Sequence, residues 1–142
     1  MIALIRISGL VKMKESYEET LSRLRLRRKY TCVIIPENPE MLGMVKNIQN
    51  FVAYGKIDEK TFAEILKARG KKIGNSKAKL TETEAVKIAK EVFAGKKLEE
   101  LGVIPYFGLH PARGGIDSKH NYPKGVLGNH QDNLSKLIMK ML

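Results

Sequence analysis

The spacing of hydrophobic positions over residues 1–58 switches between the short period of strands and the longer period of helices. Three runs rich in branched and aromatic residues predict strands: Ile2 to Ile7, Tyr30 to Ile35 and Phe51 to Ile57. Ser16 and Glu19 form a capping-box pattern before a first helix, and Asn38 with Pro39 opens a second. The order β-α-β-α-β predicts a small sheet with both helices on one face, leaving the other face or an edge available to a partner.

The second half of the chain has the pattern of helices joined by loops. Asp58 begins a third helix that closes at Gly70, which we expect to be left-handed. The capping box Thr81 to Glu84 opens a fourth helix, which ends before Gly95. Asn129 caps a final helix whose apolar face docks on the body. These elements predict an extension packed on the first three strands.

The length of the chain, 142 residues, fits one structural domain. We expect a β-α-β-α-β core over residues 1–58 and a helical, basic-loop extension over residues 59–142. The single cysteine, Cys32, excludes an internal disulfide and indicates a small buried hydrophobe in a reducing compartment. The first apolar run ends at Arg6, too soon for a signal peptide or a membrane span, so the expected location is the cytoplasm.

The charge of the chain is strongly positive. It has 26 Lys and Arg residues against 15 Asp and Glu residues, a formal net charge of +11, which predicts attraction to polyanions. The densest cluster, Arg23 to Lys29, joins the end of the first helix to the second strand. One or two cations there would complement the helix dipole, but five basic residues in seven with no acid favour a phosphate-rich partner.

Two further segments are basic. No acid occurs between Glu64 and Glu82, whereas six basic residues do. His110 to Asn129 is a long loop full of Gly, Pro and Asn, and loops of this length inside a domain are usually functional or flexible. We favour function, because glycines allow close backbone approach, the cations donate to phosphate and Tyr122 can stack on a base.

Catalytic and metal sites are poorly supported. The three histidines and Cys32 lack zinc-ligand spacing, and no phosphate-binding glycine loop of the nucleotide-hydrolase type occurs. Asp117, Ser118 and His120 are the residue types of a catalytic triad, but neighbours on one loop rarely reach that geometry. We therefore expect no catalytic residues, no metal and no cofactor.

Six segments carry a resemblance to a known family. In the first half they are Thr20 to Tyr30, Pro39 to Val45 and the strand from Phe51. In the second half they are Leu66 to Gly70, Pro111 to Gly115 and Gly128 to Leu134. The first set resembles the large-subunit ribosomal protein L-thirty family, and the second resembles its long archaeal and eukaryotic form. Bacterial members resemble only the β-α-β-α-β part. The basic N-terminal extension of eukaryotic members is not present, which favours an archaeal protein.

The resemblance implies an α+β fold with a ferredoxin-like, three-stranded antiparallel sheet whose first strand is central. It implies a structural role in the large ribosomal subunit, with large-subunit rRNA close to the 5S rRNA and neighbouring ribosomal proteins as partners. It assigns rRNA contacts to the cations Arg23 to Lys29, to the helix at Gly43 and Met44, and to Arg113 to Gly115. Together with the basic segments, the predicted RNA-binding residues are Arg23, Arg25, Arg27, Arg28, Lys29, Lys46, Arg69, Lys71, Lys72, Lys77, Arg113, Gly114, Gly115, Lys119, His120, Tyr122 and Lys124. No membrane and no small-molecule substrate are expected.

Two alternatives stay open. One is an RNA-binding or acidic-protein-binding role outside the ribosome. The other is a small phosphate-handling enzyme on a ferredoxin-like scaffold, using one arginine and one asparagine such as Arg28 and Asn47. That enzyme would need a fourth strand and a glycine-rich phosphate loop near the N-terminus, and the sequence pattern lacks both.

Overall fold

The fold was established from a computed structural model, which describes residues 1–9, 11 and 13–142, without the side chains of residues 75–79. Within these residues the α-helices are α1 (Glu15–Arg23), α2 (Pro39–Asn47), α3 (Glu59–Arg69), α4 (Glu82–Phe93) and α5 (Leu134–Met141). The strands are β1 (Ile2–Arg6), β2 (Thr31–Ile35), β3 (Val52–Lys56), β4 (Lys71–Lys72), β5 (Asn75–Lys79), β6 (Phe107–Gly108) and β7 (Gly128–Asn129). A 3-10 helix (Gln131–Asn133) precedes α5. No helix in the described part of the chain is long and apolar enough to cross a membrane.

The main sheet has five strands in the order β6-β2-β1-β3-β7, so the predicted α+β class is confirmed. Strand β1 pairs antiparallel with both β2 and β3, with Leu4 opposite Val33 on one side and Tyr54 on the other. The sheet has more strands than the three that were predicted, because β6 and β7 from the second half of the chain pair with its two edges. These short strands give the sheet brief edges with few unpaired backbone groups.

Both faces of the sheet are covered by helices. Ile2 and Leu4 on β1 face α1 and α2, where they share a core with Leu21 and Val45. Ala3 and Ile5 face the other way, into a core formed with residues of α3, α4 and α5. Every residue of β1 is buried, as expected for a strand with apolar layers on both sides. The prediction was that the other face or an edge stays available to a partner. The face is covered by α3, α4 and α5, and β6 and β7 occupy the two edges of the three predicted strands.

Cys32 lies in this second core and is fully buried, as predicted. Burial raises the pKa of its thiol to about 12, because the apolar surroundings disfavour the thiolate. The side chain therefore acts as a small apolar residue of the core.

Several local predictions are confirmed. The position of Asp58 directly before α3 is as predicted, but its side chain forms no capping hydrogen bond among the described residues, so only the start of the helix is confirmed. Thr81 and Glu84 form a full capping box, in which the Thr81 backbone N–H donates to Glu84 Oε2 at 3.0 Å. Gly95 follows α4 with a φ of +107°, a conformation that favours glycine.

Other local predictions are wrong. Helix α1 begins at Glu15 after Lys14, so Ser16 lies inside the helix, where its carbonyl accepts from Thr20 Oγ1. Asn129 does not cap α5. Its side-chain oxygen accepts from the N–H of Gln131, the first residue of the 3-10 helix before α5, at 2.9 Å.

Gly70 is not left-handed, since its φ is −62°. Glycine is required there by space, because a Cβ would clash with the backbone oxygen of Leu66 and lie 2.5 Å from Leu80 Cδ1. The turn after α3 thus depends on how closely the next segment packs.

Candidate nucleic-acid interface

The strongest concentration of exposed cations lies in the segment joining α1 to β2, which we call the cationic turn (residues 24–30). Leu24 and Leu26 are buried in the core beneath α1 and α2. The cations between and after them are exposed: Arg25, Arg27, Arg28 and Lys29. This alternation of buried leucines and exposed cations holds the positive charge at the surface on a fixed backbone.

Arg6, at the end of β1, anchors the cationic turn from below. Its side chain is only 1% exposed, and its Nη1 donates to Leu26 O at 2.7 Å and to Arg27 O at 2.9 Å. Its own carbonyl accepts from the Tyr30 N–H at 2.7 Å. The middle and the C-terminal end of the turn are therefore tied to one buried residue.

Burial disfavours the charged form of the Arg6 guanidinium. Desolvation lowers the pKa of the guanidinium, and the charge of Glu18 opposes this only in part. Its Nη2 is buried without a hydrogen-bond partner among the described residues. A buried cation retained without a hydrogen-bonded carboxylate indicates that its contacts to the turn are important.

In the sequence, Arg6 is seen only as the charge that ends the first apolar run. The sequence does contain a signal for the buried role of Arg6, namely a single arginine at the end of an otherwise apolar strand. Such a residue either marks the end of the strand or is buried and donates hydrogen bonds.

The backbone of the cationic turn is constrained at both ends. Arg25 has a φ of +61° and Tyr30 a φ of +59°, the left-handed region that costs a non-glycine residue about 1–2 kcal/mol. Such conformations persist only where the surrounding contacts determine them. Here the contacts are the hydrogen bonds from Arg6 and the burial of Leu26.

The cations of this cluster differ in their partners. Arg23 pairs with Glu19 at 2.6 Å along α1, and Arg25 pairs with Glu99 after α4. Arg27, Arg28 and Lys29 form no ion pair within the described part of the chain, although Arg27 Nε donates to Ser22 Oγ at 3.3 Å. Three consecutive cations therefore have no counter-ion among the residues that the structure describes.

An aromatic residue that the sequence analysis did not select lies beside the turn. Strand β6 pairs with β2 so that Gly108 lies opposite Thr31, and the Leu109 N–H donates to Tyr30 O at 2.8 Å. Tyr106 precedes this strand and is 51% exposed. The signal available in the sequence is the pair Tyr106 and Phe107 directly after Pro105, because neighbouring aromatic residues on an extended segment point to opposite sides.

The second basic segment, Lys67 to Lys79, has fewer cations available to bind phosphate than its sequence suggests. Lys67 pairs with Glu82 at 2.8 Å, and Lys72 pairs with Glu84 at 2.9 Å. The backbone N–H of Thr81 and the ammonium of Lys72 lower the pKa of Glu84 to about 2. The first turn of α4 thus neutralises part of the charge.

The remaining predicted residues of this segment have separate environments. Arg69 is half-buried, and its Nη2 donates to the backbone oxygen of Leu142 at 3.0 Å, which favours a structural role. Lys71 is exposed on β4. Lys77 lies among the residues whose side chains are outside the description.

The long loop after His110 is held by backbone hydrogen bonds at its two ends. The Arg113 N–H donates to Lys140 O at 2.9 Å, and the Leu127 N–H donates to His120 O at 3.2 Å. Gly114 and Gly115 both have positive φ, at +85° and +77°, so this bend requires glycine. The side chains of Arg113, Lys119 and Lys124 are exposed.

The predicted polar and aromatic contacts of the loop already have partners. His120 Nδ1 lies 2.7 Å from Asp117 Oδ2. The backbone N–H of Lys119 and the His120 ring hold the pKa of Asp117 below its usual range. The Tyr122 ring packs against His130 with centroids 4.5 Å apart, and its hydroxyl accepts from Asn133 at 3.1 Å. Tyr122 is thus already packed on one of its sides.

On α2, Gly43 and Lys46 are exposed and Met44 is half-buried. This helix covers the same sheet face as α1, the helix that leads into the cationic turn. The exposed side of α2 therefore belongs to the same layer of the protein as that turn.

The catalytic arrangements weighed from the sequence gain little support. Asp117 and His120 meet, but no hydrogen bond joins Ser118 to His120 among the described residues. Within those residues there is also no group of three or more His, Cys, Asp or Glu side chains placed to hold a metal ion. Arg28 and Asn47 are both exposed, on the cationic turn and at the end of α2.

Comparison with known proteins agrees with the resemblance seen in the sequence. A family model described as ribosomal protein L30p/L7e matches residues 2–52. The large ribosomal subunit protein uL30 of Archaeoglobus fulgidus is 39% identical over 151 aligned positions, which cover 99% of each chain. The proteins of the same name from Methanococcus vannielii and Methanococcus maripaludis strain C5 are 34% and 32% identical, over 99% of this chain and 98% of theirs. With this identity over nearly the whole length of both chains, the chain belongs to the uL30 family of ribosomal proteins.

Proposed function

We propose that the protein is a structural constituent of the large ribosomal subunit in the cytoplasm and binds large-subunit rRNA close to the 5S rRNA. The observation that carries this proposal is the cationic turn, where Arg27, Arg28 and Lys29 have no acidic partner among the described residues and Arg6 holds the backbone. The uL30 relatives are named as large ribosomal subunit proteins, which supports the same assembly. Neighbouring ribosomal proteins are then further partners.

The mechanism follows from fixed charge. Cations held on a folded scaffold neutralise phosphates and release counter-ions, so log affinity falls by about 0.7–0.9 per contacted phosphate for each tenfold rise in salt. Because the turn is ordered before binding, little conformational entropy is lost when RNA docks. Specificity then comes from RNA shape and unpaired bases, since side chains do not read the deep groove of A-form RNA.

We propose three contact regions: Arg23 to Lys29, Lys67 to Lys79 and His110 to Lys124. Among the described residues, the first and third regions each have three cations without an acidic partner, but only in the first are the three consecutive. The second is weakened by the ion pairs with Glu82 and Glu84. The third contributes the exposed cations Arg113, Lys119 and Lys124. We rank their contributions to affinity in the order first, third, second.

The two parts of the chain act as one scaffold. We propose that residues 1–58 and 59–142 fold as a single structural domain, because Ala3 and Ile5 of β1 share a core with Phe62 and Leu134. The strands β6 and β7 add a backbone link between the two parts. A scaffold of this kind keeps the contact regions at constant distances and suits an architectural role rather than an enzymatic one.

The first test is sedimentation. Cell extract is run through a sucrose gradient at low salt and again after a high-salt wash, and the chain is followed by mass spectrometry. We expect stoichiometric amounts in large subunits in both runs. Failure to sediment with subunits at either salt would remove the ribosomal role, and activity assays on the purified protein would then follow.

The second test addresses the cationic turn. Arg27→Glu with Arg28→Glu is compared with Lys87→Glu and Lys90→Glu, two exposed positions on α4, so that both double variants change the net charge equally. Filter binding to transcribed large-subunit rRNA should weaken markedly for the first pair and only slightly for the second. Equal losses would mean that net charge alone drives binding, and no loss would remove the turn from the interface.

A further inference from the structure

The cationic turn and Tyr106 form the walls of a cleft. It has a volume of about 520 Å³ and is lined by Arg25, Arg27, Arg28, Thr31 and Tyr106. The pairing of β6 with β2 fixes the two walls relative to each other, because Gly108 lies opposite Thr31 and Phe107 opposite Cys32. The cleft is therefore built by the sheet and not by loops alone.

Tyr106 is placed to offer its ring to solvent. Phe107, the next residue, is fully buried against Phe62, whereas Tyr106 is 51% exposed. Successive residues of an extended segment point to opposite sides, so burial of Phe107 turns Tyr106 outward. Within the described part of the chain, no other aromatic ring packs on Tyr106, in contrast to Tyr122 on His130.

The positive charge of the cleft favours a ligand that carries phosphate. Arg25 forms an ion pair with Glu99, so Arg27 and Arg28 are the cations of the lining that have no ion pair within the described part of the chain. A second cleft, of about 390 Å³, differs in carrying the carboxylates of Glu37 and Asp132, which repel phosphate. An aromatic ring beside two unpaired guanidinium groups matches the two parts of a nucleotide, its base and its phosphate.

We propose that this cleft binds one unpaired nucleotide of RNA, with the base stacked on Tyr106 and the flanking phosphate held by Arg27 and Arg28. The proposal rests on the rRNA-binding function above and specifies what this part of the surface recognises. A base inside a duplex has both faces covered by its neighbours, so the cleft accepts a nucleotide from a loop, bulge or strand end.

The test uses the full chain and two fluorescein-labelled probes in anisotropy titrations. One probe is a single-stranded RNA of about ten nucleotides, within the range that single-strand binding folds cover. The other is the same strand annealed to its complement. Tyr106→Ala removes the ring, and Tyr106→Phe is the matched control that keeps the ring and loses the hydroxyl.

We expect Tyr106→Ala to weaken single-strand binding by about 5- to 150-fold, the range for losing one stacked base, and Tyr106→Phe to retain it. Duplex affinity and the salt slope should stay unchanged in both variants, because the number of phosphate contacts is the same. Arg28→Ala should instead reduce the salt slope for the single strand by about 0.7. Circular dichroism and thermal melting check that each variant is folded.

Three results would overturn the nucleotide site. They are no measurable single-strand binding by the wild type, equal losses on both probes for Tyr106→Ala, and stronger competition from an acidic peptide than from the unlabelled RNA strand. The proposed ribosomal, rRNA-binding function can fail independently of the nucleotide site. If Arg27→Glu with Arg28→Glu weakens rRNA binding while Tyr106→Ala changes nothing, only the nucleotide site is lost. If the protein does not sediment with large subunits, the ribosomal role is lost whatever Tyr106 does.

Discussion

Replacing Arg6 with methionine tests whether the buried guanidinium positions the cationic turn. The substitution keeps a long apolar stem in the core and removes the hydrogen bonds to Leu26 O, Arg27 O and Ser8 O. None of the exposed cations is altered. Any loss of RNA affinity in a folded variant therefore comes from the conformation of the turn.

We expect only a small change in the free energy of unfolding, because the loss of hydrogen bonds and the removal of a buried charge act in opposite directions. Leu26 O is buried, and leaving it without a partner costs about 1–3 kcal/mol, whereas the other two carbonyls are only partly buried and can bind water. Removing a buried cation that has no hydrogen-bonded carboxylate recovers a desolvation cost of about the same size or larger. We expect the free energy of unfolding to change by at most about 2 kcal/mol.

The change in RNA affinity should be larger. Without Arg6, the left-handed conformations of Arg25 and Tyr30 lose the contacts that hold them, so the turn spends most of its time in other conformations. If about 2 kcal/mol of anchoring is lost, only a few per cent of molecules have the binding conformation, and affinity falls by about 10- to 30-fold.

The assay is urea denaturation for stability and filter binding to large-subunit rRNA for affinity, at several salt concentrations. Arg6→Lys is the control, since it keeps the charge but a single ammonium does not reproduce the fork that bridges two carbonyls. If Arg6 acts by positioning the cationic turn, both variants should bind rRNA weakly. Wild-type affinity in folded Arg6→Met would refute the reasoning, as would full recovery in Arg6→Lys, because recovery would mean that charge alone matters.

Three further predictions concern stability. Gly70→Ala should lower the free energy of unfolding by about 1–3 kcal/mol, because its Cβ has no room beside Leu66 O and Leu80, and urea denaturation measures this. Gly43→Ala, a matched change in open space inside α2, should raise it by about 0.5–1 kcal/mol, and a loss there would contradict the packing argument. Glu84→Gln tests the Glu84 carboxylate through pH: the folded carboxyl has its pKa lowered from 4.5 to about 2, so its contribution is complete above pH 4.5 and is lost as the pH falls towards 2. Thermal melting of the wild type should show this loss of stability and the variant should lack it, whereas parallel curves would exclude titration of Glu84 as its source.

Much of the fold followed from local patterns. The apolar runs of β1, β2 and β3 and the helical spacing of α1 to α4 depend on residues within a few positions of one another, which the sequence displays directly. The Thr81–Glu84 capping box is also local and was predicted correctly. The boundaries of α1 and of the 3-10 helix were less predictable, because several residues near each end are able to cap.

The candidate interface was only partly predictable. The chain alone determined that Arg27, Arg28 and Lys29 form a charge cluster next to a strand, and that Cys32 is an apolar core residue. It did not reveal that Lys67 and Lys72 meet Glu82 and Glu84, since each pair closes over more than ten positions of chain. Charge counted along a sequence does not include such pairing, because ion pairs depend on distance in space.

Tertiary structure decided the features on which the proposals depend. It covered the second face of the sheet with α3, α4 and α5 and added β6 to the edge beside the cationic turn. It placed Arg6 under a turn that lies twenty positions further along the chain, and set Tyr106 rather than Tyr122 beside the unpaired cations. Local sequence determines secondary structure and the supply of charge. Long-range packing determines which charges stay free, because burial and neutralisation depend on segments that meet only in the folded chain.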